Sequence, residues 1–176
     1  MKENLLDKNS YALKINDKLT TFVHKGSHFV PPFKRVTSVS VIPFTKEGLV
    51  VAVRLRNRGL DIPGGHVEKN EKTPEETLHR EVMEEAHMLI SKPQLVEVIE
   101  TDYFGQTPEE ASYLLIYTAF VDKLLGYKTT DKMSYERVIL SKEDFLNQYT
   151  SGDKRLMGKT IDSAATLLFL HTDKSK

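Results

Sequence analysis

A chain of 176 residues with 39% hydrophobic and 28% charged side chains has the material for one domain around one core. Its 25 basic residues balance 25 acidic ones, so no net field draws it to nucleic acid or to an anionic membrane. The absence of cysteine excludes disulfides, thiolate metal sites and thiol nucleophiles. No apolar run reaches the roughly 18 residues of a membrane span, and the N-terminus has no signal-peptide core, so a cytoplasmic protein without a membrane partner is expected.

Residues 1–18 alternate charge with short apolar pairs and read as a loosely ordered or partly helical lead-in, followed by a first strand over 19–24. Gly26, Pro31 and Pro32 make 25–34 a loop. VTSVSVIPF (36–44) and LVVAVRLR (49–56) are β-branched, flank the turn TKEG and predict a hairpin. The Gly-, Pro- and polar-rich stretch 56–72 reads as mostly loop, and a helix follows over 73–88. Two long strands, 94–104 and 111–122, are joined by GQTPEE; a shorter strand covers 133–140, and amphipathic helices cover 142–149 and 159–172. Strands outnumber helices and mostly follow one another directly, so the class is α+β, a mixed sheet with helices packed on it. One domain over 1–176 is expected, with 1–35 an N-terminal extension or hairpin.

The helix over 73–88 carries the chemistry. Thr73 can cap it, Pro74 suits its first position and Glu76 completes a capping box. Leu78, Val82, Ala86 and Leu89 then fall on one core-facing stripe. Glu81, Glu84 and Glu85 share a neighbouring arc, with Thr77 close by. Like charges at these spacings destabilise a helix by roughly 0.2–0.5 kcal/mol per pair, and the C-terminal end of the macrodipole disfavours carboxylates further. Arg80 can pair with Glu84, but one cation does not neutralise three carboxylates, and a divalent cation would. A solvated acidic face is the other reading of the helix alone. The turn Asp61-Ile62-Pro63-Gly64-Gly65, whose glycines allow close backbone approach, weighs against it by bringing loop backbone to the helix start.

Residues 64–88, GGHVEKNEKTPEETLHREVMEEAHM, resemble the box of the Nudix hydrolase superfamily (MutT-like). That box reads Gly, five residues, Glu, seven residues, then Arg-Glu-apolar-x-Glu-Glu-x-Gly-apolar. This chain has Gly65, five residues, Glu71, eight residues, then Arg80-Glu81-Val82-Met83-Glu84-Glu85-Ala86-His87-Met88. The extra residue, near Lys72, falls before the cap and leaves the spacing from Arg80 to Glu85 intact. His87 replaces the usual glycine, and a left-handed His costs about 1 kcal/mol. The resemblance implies a Nudix fold, a mixed sheet sandwiched between helices. It further implies Mg²⁺ or Mn²⁺ held by Glu81, Glu84, Glu85 and the carbonyl of Gly64, with Arg80 orienting the carboxylates and Glu71 supporting the loop. The implied reaction is attack of water on phosphorus in a pyrophosphate bond of a small nucleoside diphosphate derivative.

The general base is expected within the box, as Glu81 or Glu85, with Glu109, Glu110, Asp131 and Glu136 as loop alternatives. Arg54 and Arg56 alternate onto one side of their strand and are candidates for substrate phosphate, as is Arg58; an exposed strand end is their other reading. Tyr103 and Tyr117 are candidates to stack on a base or sugar, and Phe104 and Tyr113 share their strands; core packing explains most such aromatics. His66 and His79 match no ligand position, and Met83 and Met88 read as packing. Nucleoside triphosphates, oxidised ones included, are the favoured substrates for so short a chain, with ADP-ribose or nucleotide sugars as alternatives. A dimer formed through 1–35 would turn the expectation towards ADP-ribose. A non-catalytic nucleotide sensor would usually lack box carboxylates, and an enzyme trimming RNA 5′ ends would need a basic groove.

Overall fold

Alternation along the central strands separates the molecule into two cores. In β4 (Val36–Phe44), Val39 and Val41 point to one side of the sheet and Ile42 and Phe44 end up on the other. The same division runs through β5 (Val50–Leu55) and β9 (Ser112–Leu124), where Tyr113, Leu115 and Tyr117 oppose Ile116. Helix α1 (Pro74–Ala86) covers the first side with Leu78, Val82 and Ala86, while α2 (Lys142–Gln148) and α3 (Lys154–Thr172) cover the second with Phe145, Ile161 and Leu168. The computed structural model describes residues 4–15, 17–102, 111–128 and 133–172.

The remaining strands are β1 (Asn4–Asp7), β2 (Ser10–Ile15), β3 (Lys18–His24), β6 (Gly59–Asp61), β7 (Gly64–His66), β8 (Met88–Thr101) and β10 (Ser134–Leu140). The sheet order is β1-β2-β3-β8-β9-β4-β5-β10, with β6 on β5 and β7 on β4. The β4–β9 pair is parallel and its neighbours are antiparallel, so this is the expected mixed sheet between helices. Among the described residues no helix is long and apolar enough to cross a membrane.

Four expectations are corrected. The described part of the lead-in, 4–15, is neither loose nor helical: β1 and β2 form a meander with β3, and Tyr11 and Leu13 bury into the second core beside Phe22. The hairpin of β4 and β5 pairs only near its turn, at Phe44 and Val50, because β7 takes the rest of that edge of β4 through Ser38, Val39 and Ser40. The box helix ends at Ala86 and β8 starts at Met88, so Leu89 lies on a strand and is 44% exposed rather than on the helix stripe. β8 therefore begins well before residue 94; its ladder breaks register between Ser91 and Gln94, around Pro93, which has no N–H to give. At the other end α3 starts at Lys154, capped by Asp153, whose Oδ1 accepts the Leu156 N–H at 2.8 Å. Gly158 hides this first turn in the sequence; a Cβ there would press on Leu146 of α2 at 3.3 Å.

Leu78 is fully buried between α1 and the sheet, and Leu78→Ala is expected to lower unfolding free energy by about 2–5 kcal/mol, measured by urea denaturation.

Candidate active site

Two glycines set the geometry. β7 lies against β4 so closely that a Cβ on Gly64 would strike the Ser40 backbone, and one on Gly65 would strike the carboxylate of Glu81. The strand is thus wedged between sheet and helix. Ser38 Oγ donates to the Gly65 carbonyl at 2.9 Å, and the Gly64 N–H donates to Glu85 Oε2 at 2.9 Å. Only glycine lets backbone amide and helix carboxylate meet there.

Helix α1 starts as expected, with Thr73 Oγ1 accepting the Glu76 N–H at 3.3 Å and Pro74 in the first turn. The reciprocal bond is displaced by one residue: Glu76 accepts from the Lys72 N–H at 2.7 Å, so the inserted position is used to hold the loop. At the far end His87 adopts φ 45° and ψ 57°, the left-handed exit expected of it. Arg137 of β10 donates to the carbonyls of Ala86 and His87, both at 2.7 Å, placing a cation where the macrodipole needs one.

Arg80 is the hub. Its Nε donates to Glu71 Oε1 at 2.8 Å, one terminal nitrogen donates to Glu81 at 2.6 Å and Glu84 at 3.3 Å, and the other donates to the carbonyl of His66 at 2.8 Å. Glu68 stands 3.9 Å away. Burial opposes the guanidinium charge, but the Glu71 and Glu81 hydrogen bonds outweigh it and raise its pKa above the ordinary value. Glu71 is nearly enclosed. The Arg80 hydrogen bond, working against burial and helped by the Glu68 N–H and the Thr77 hydroxyl, brings its pKa down from 4.5 to about 2.

Glu81, Glu84, Glu85 and Gly64 line one cleft with Arg58, Gly65, His66 and Arg80. Among the described residues no three acidic or histidine side chains converge as a ready ligand set, because Arg80 holds Glu81 and Glu84 while the Gly64 amide holds Glu85. The donor chemistry fits a hard divalent cation: all three are carboxylates, and Glu84, 45% exposed at its side chain, is free to swing.

A second cavity of about 200 Å³ opens on the opposite face of β4, lined by Ser40, Ile116, Ile99, Tyr11, Phe22 and His24 among others. It shares Arg58, Gly64, Gly65 and His66 with the carboxylate cleft, so the two adjoin along β7. Of the expected substrate contacts, Arg54, Arg56 and Tyr117 line neither, whereas Arg58 lines both. Arg54 is tied to Glu136 at 2.8 Å and to Gln148 at 2.7 Å, and Arg56 lies over the Tyr135 ring. Tyr117 faces α1, where burial and then Glu75 raise its hydroxyl pKa to about 12; odd positions of β9 point away from the cavity. Tyr103, Phe104, Glu109, Glu110 and Asp131 lie outside the described residues. Arg58 is the arginine that reaches the junction, with its Nε 2.8 Å from Asp61. The serines of β4 were the readable clue: Ser38 and Ser40 interrupt an otherwise apolar central strand on one face only.

A NUDIX domain family model matches residues 34–156. The chain belongs to the NUDIX domain family. It is accordingly placed in the pyrophosphohydrolase class expected for it. Among curated proteins no match is found. Among solved structures, the fold is similar to the Bacillus subtilis pyrophosphohydrolase BsRppH, at 21% identity and TM-score 0.58 over 94% of this chain and 97% of that one. It is also similar to MutT from Aliivibrio salmonicida and Vibrio cholerae, at 17% identity and TM-score 0.54 over 73% of this chain and 96% of that one. A third is the Nudix domain of Shewanella oneidensis NrtR complexed with ADP ribose, at 15% identity and TM-score 0.55 over 77% of this chain and 93% of that one.

Two outcomes check this geometry. Because the folded pKa of Glu71 lies below its ordinary value, its stabilisation is full above pH 4.5 and lost as pH falls towards about 2. Denaturant titrations should show wild type losing more stability across that window than Glu71→Gln, which starts less stable at pH 7. Gly65→Ala should keep a cooperative melt yet lose about 100-fold or more in turnover, since the added methyl displaces Glu81.

Proposed function

We propose that the protein hydrolyses a nucleoside triphosphate, oxidised forms included, to the monophosphate and pyrophosphate. The observation that carries this reading is that the carboxylate cleft and the cavity adjoin, sharing Arg58, Gly64, Gly65 and His66. A phosphate chain lying on that junction sends its nucleoside into the cavity and its anhydride to the carboxylates. At about 200 Å³ the cavity falls below the roughly 300–1,000 Å³ of sites that enclose drug-sized ligands, so it suits one nucleoside rather than two joined ones.

Glu81, Glu84, Glu85 and the Gly64 carbonyl would hold Mg²⁺ or Mn²⁺. A divalent cation bound there supplies charge for phosphate oxygens and makes a water more acidic. Glu81 or Glu85 then takes the proton of the water that attacks phosphorus. Arg80 surrenders its bonds to Glu81 and Glu84 but stays anchored on Glu71 and the His66 carbonyl, which fixes the helix face while those carboxylates turn. Arg58 meets phosphate at the junction, and the apolar wall keeps water from the base.

The test is a panel of nucleoside triphosphates, ADP-ribose, nucleotide sugars and dinucleoside polyphosphates with Mg²⁺ or Mn²⁺, run beside a Glu84→Gln, Glu85→Gln variant. Turnover confined to triphosphates, abolished by chelator and reduced about 100-fold or more in the variant, is expected. Preferred turnover of ADP-ribose would overturn the substrate assignment, and metal-dependent binding without turnover would overturn catalysis.

A further inference from the structure

The cavity wall has two origins. The stretch matched by the family, 34–156, supplies Ser40 and Ile116, whereas Tyr11 of β2 and Phe22 and His24 of β3 come from the hairpin that precedes it. Tyr11 and Phe22 stack on one another across β2 and β3, with centroids 5.0 Å apart and planes 11° from parallel, and so line the cavity as one aromatic unit. The Tyr11 ring also stands 6.2 Å from the ring of His24.

His24 brings a polar ring edge to this wall beside Tyr11 and Phe22. Its side chain is only 9% exposed, and Nδ1 lies 3.2 Å from Glu97 Oε2. Glu97 is itself clamped: Oε1 accepts the Gly26 N–H at 2.6 Å and the Val98 N–H at 2.9 Å. A carboxylate held at Nδ1 keeps the proton of a neutral imidazole on that nitrogen and leaves Nε2 as an acceptor. Among the described residues Nε2 has no hydrogen bond and is not among the buried polar atoms left without a partner, and His24 lines both this cavity and a neighbouring one shared with Glu97.

We propose that His24, oriented by Glu97, determines nucleobase specificity, its Nε2 accepting a hydrogen bond from an N–H of the base seated against Tyr11 and Phe22. The proposal rests on the cavity being the nucleoside site. It places selectivity in the hairpin outside the matched stretch and anhydride cleavage within it. A fixed acceptor discriminates more sharply than a shape-fitting wall, because a base without a donor at that point leaves a buried group unpaired.

Calorimetric binding of the four common nucleoside monophosphates, with chelator present, reads this recognition apart from hydrolysis. Wild type should prefer one base by about tenfold or more in Kd. His24→Ala should weaken that base about tenfold and the others less than twofold, flattening the preference. His24→Gln, whose amide oxygen still accepts, should retain part of the preference and covers the case in which the alanine variant does not fold. Glu97→Gln should reduce the preference without abolishing the melt. Equal binding of all four bases by wild type, an unchanged ranking in the His24 variants, or a uniform loss across all four would overturn the proposal. Selective binding with no triphosphate hydrolysis would instead overturn the catalytic reading and leave this one standing.

Discussion

Five carboxylates crowd one face of α1 and the loop before it, and the fold must answer their repulsion before it can present them. Glu81, Glu84 and Glu85 sit three and four residues apart near a helix end whose own dipole is negative. Three separate devices answer this. Arg80 spreads one guanidinium over Glu71, Glu81 and Glu84, the Gly64 amide takes Glu85, and Arg137 brings a second cation to the terminal carbonyls of the helix. A site held in this way still has carboxylates to offer a cation, because Arg80 has fixed partners in Glu71 and the His66 carbonyl.

The same arrangement explains why β7 exists. A strand of three residues contributes little to a sheet by itself, but here it carries the backbone amide that Glu85 needs and the carbonyl that Arg80 needs. Its insertion beside β4 splays the β4–β5 hairpin and places Gly64, Gly65 and His66 where they line both cleft and cavity. The sheet therefore both divides the molecule into two cores and joins two functional surfaces at one edge.

Much of the site was legible in the sequence because it is local. Arg80 through Glu85 lie within two turns of one helix, so their shared face follows from helix periodicity, and Thr73, Pro74 and His87 mark its ends by their own backbone preferences. The bond from Arg80 to Glu71 was not legible, since an inserted residue lay between them and only the folded loop shows that Glu71 still reaches. The N-terminal meander was legible only as a possible hairpin, because the alternation of Tyr11, Leu13 and Ile15 is short and is flanked by Lys8 and Asp17; long-range burial against Phe22 decided those strands. Arg54 and Tyr117 lie away from both cavities for a related reason. Strand alternation tells which residues share a face but not what covers that face, and here Glu136 with Gln148 covers one and α1 the other.

By itself the sequence determined the α+β class, the box helix with its caps, and the identity of the acidic residues that crowd its face, all of which follow from spacings within about 25 residues. Tertiary structure alone decided that β7 wedges between sheet and helix, that Arg137 closes the helix end, and that β2 and β3 wall the cavity with Tyr11, Phe22 and His24. Those contacts join residues tens of positions apart. They form because burying both faces of one sheet fixes which distant segments meet, and no local propensity encodes that choice.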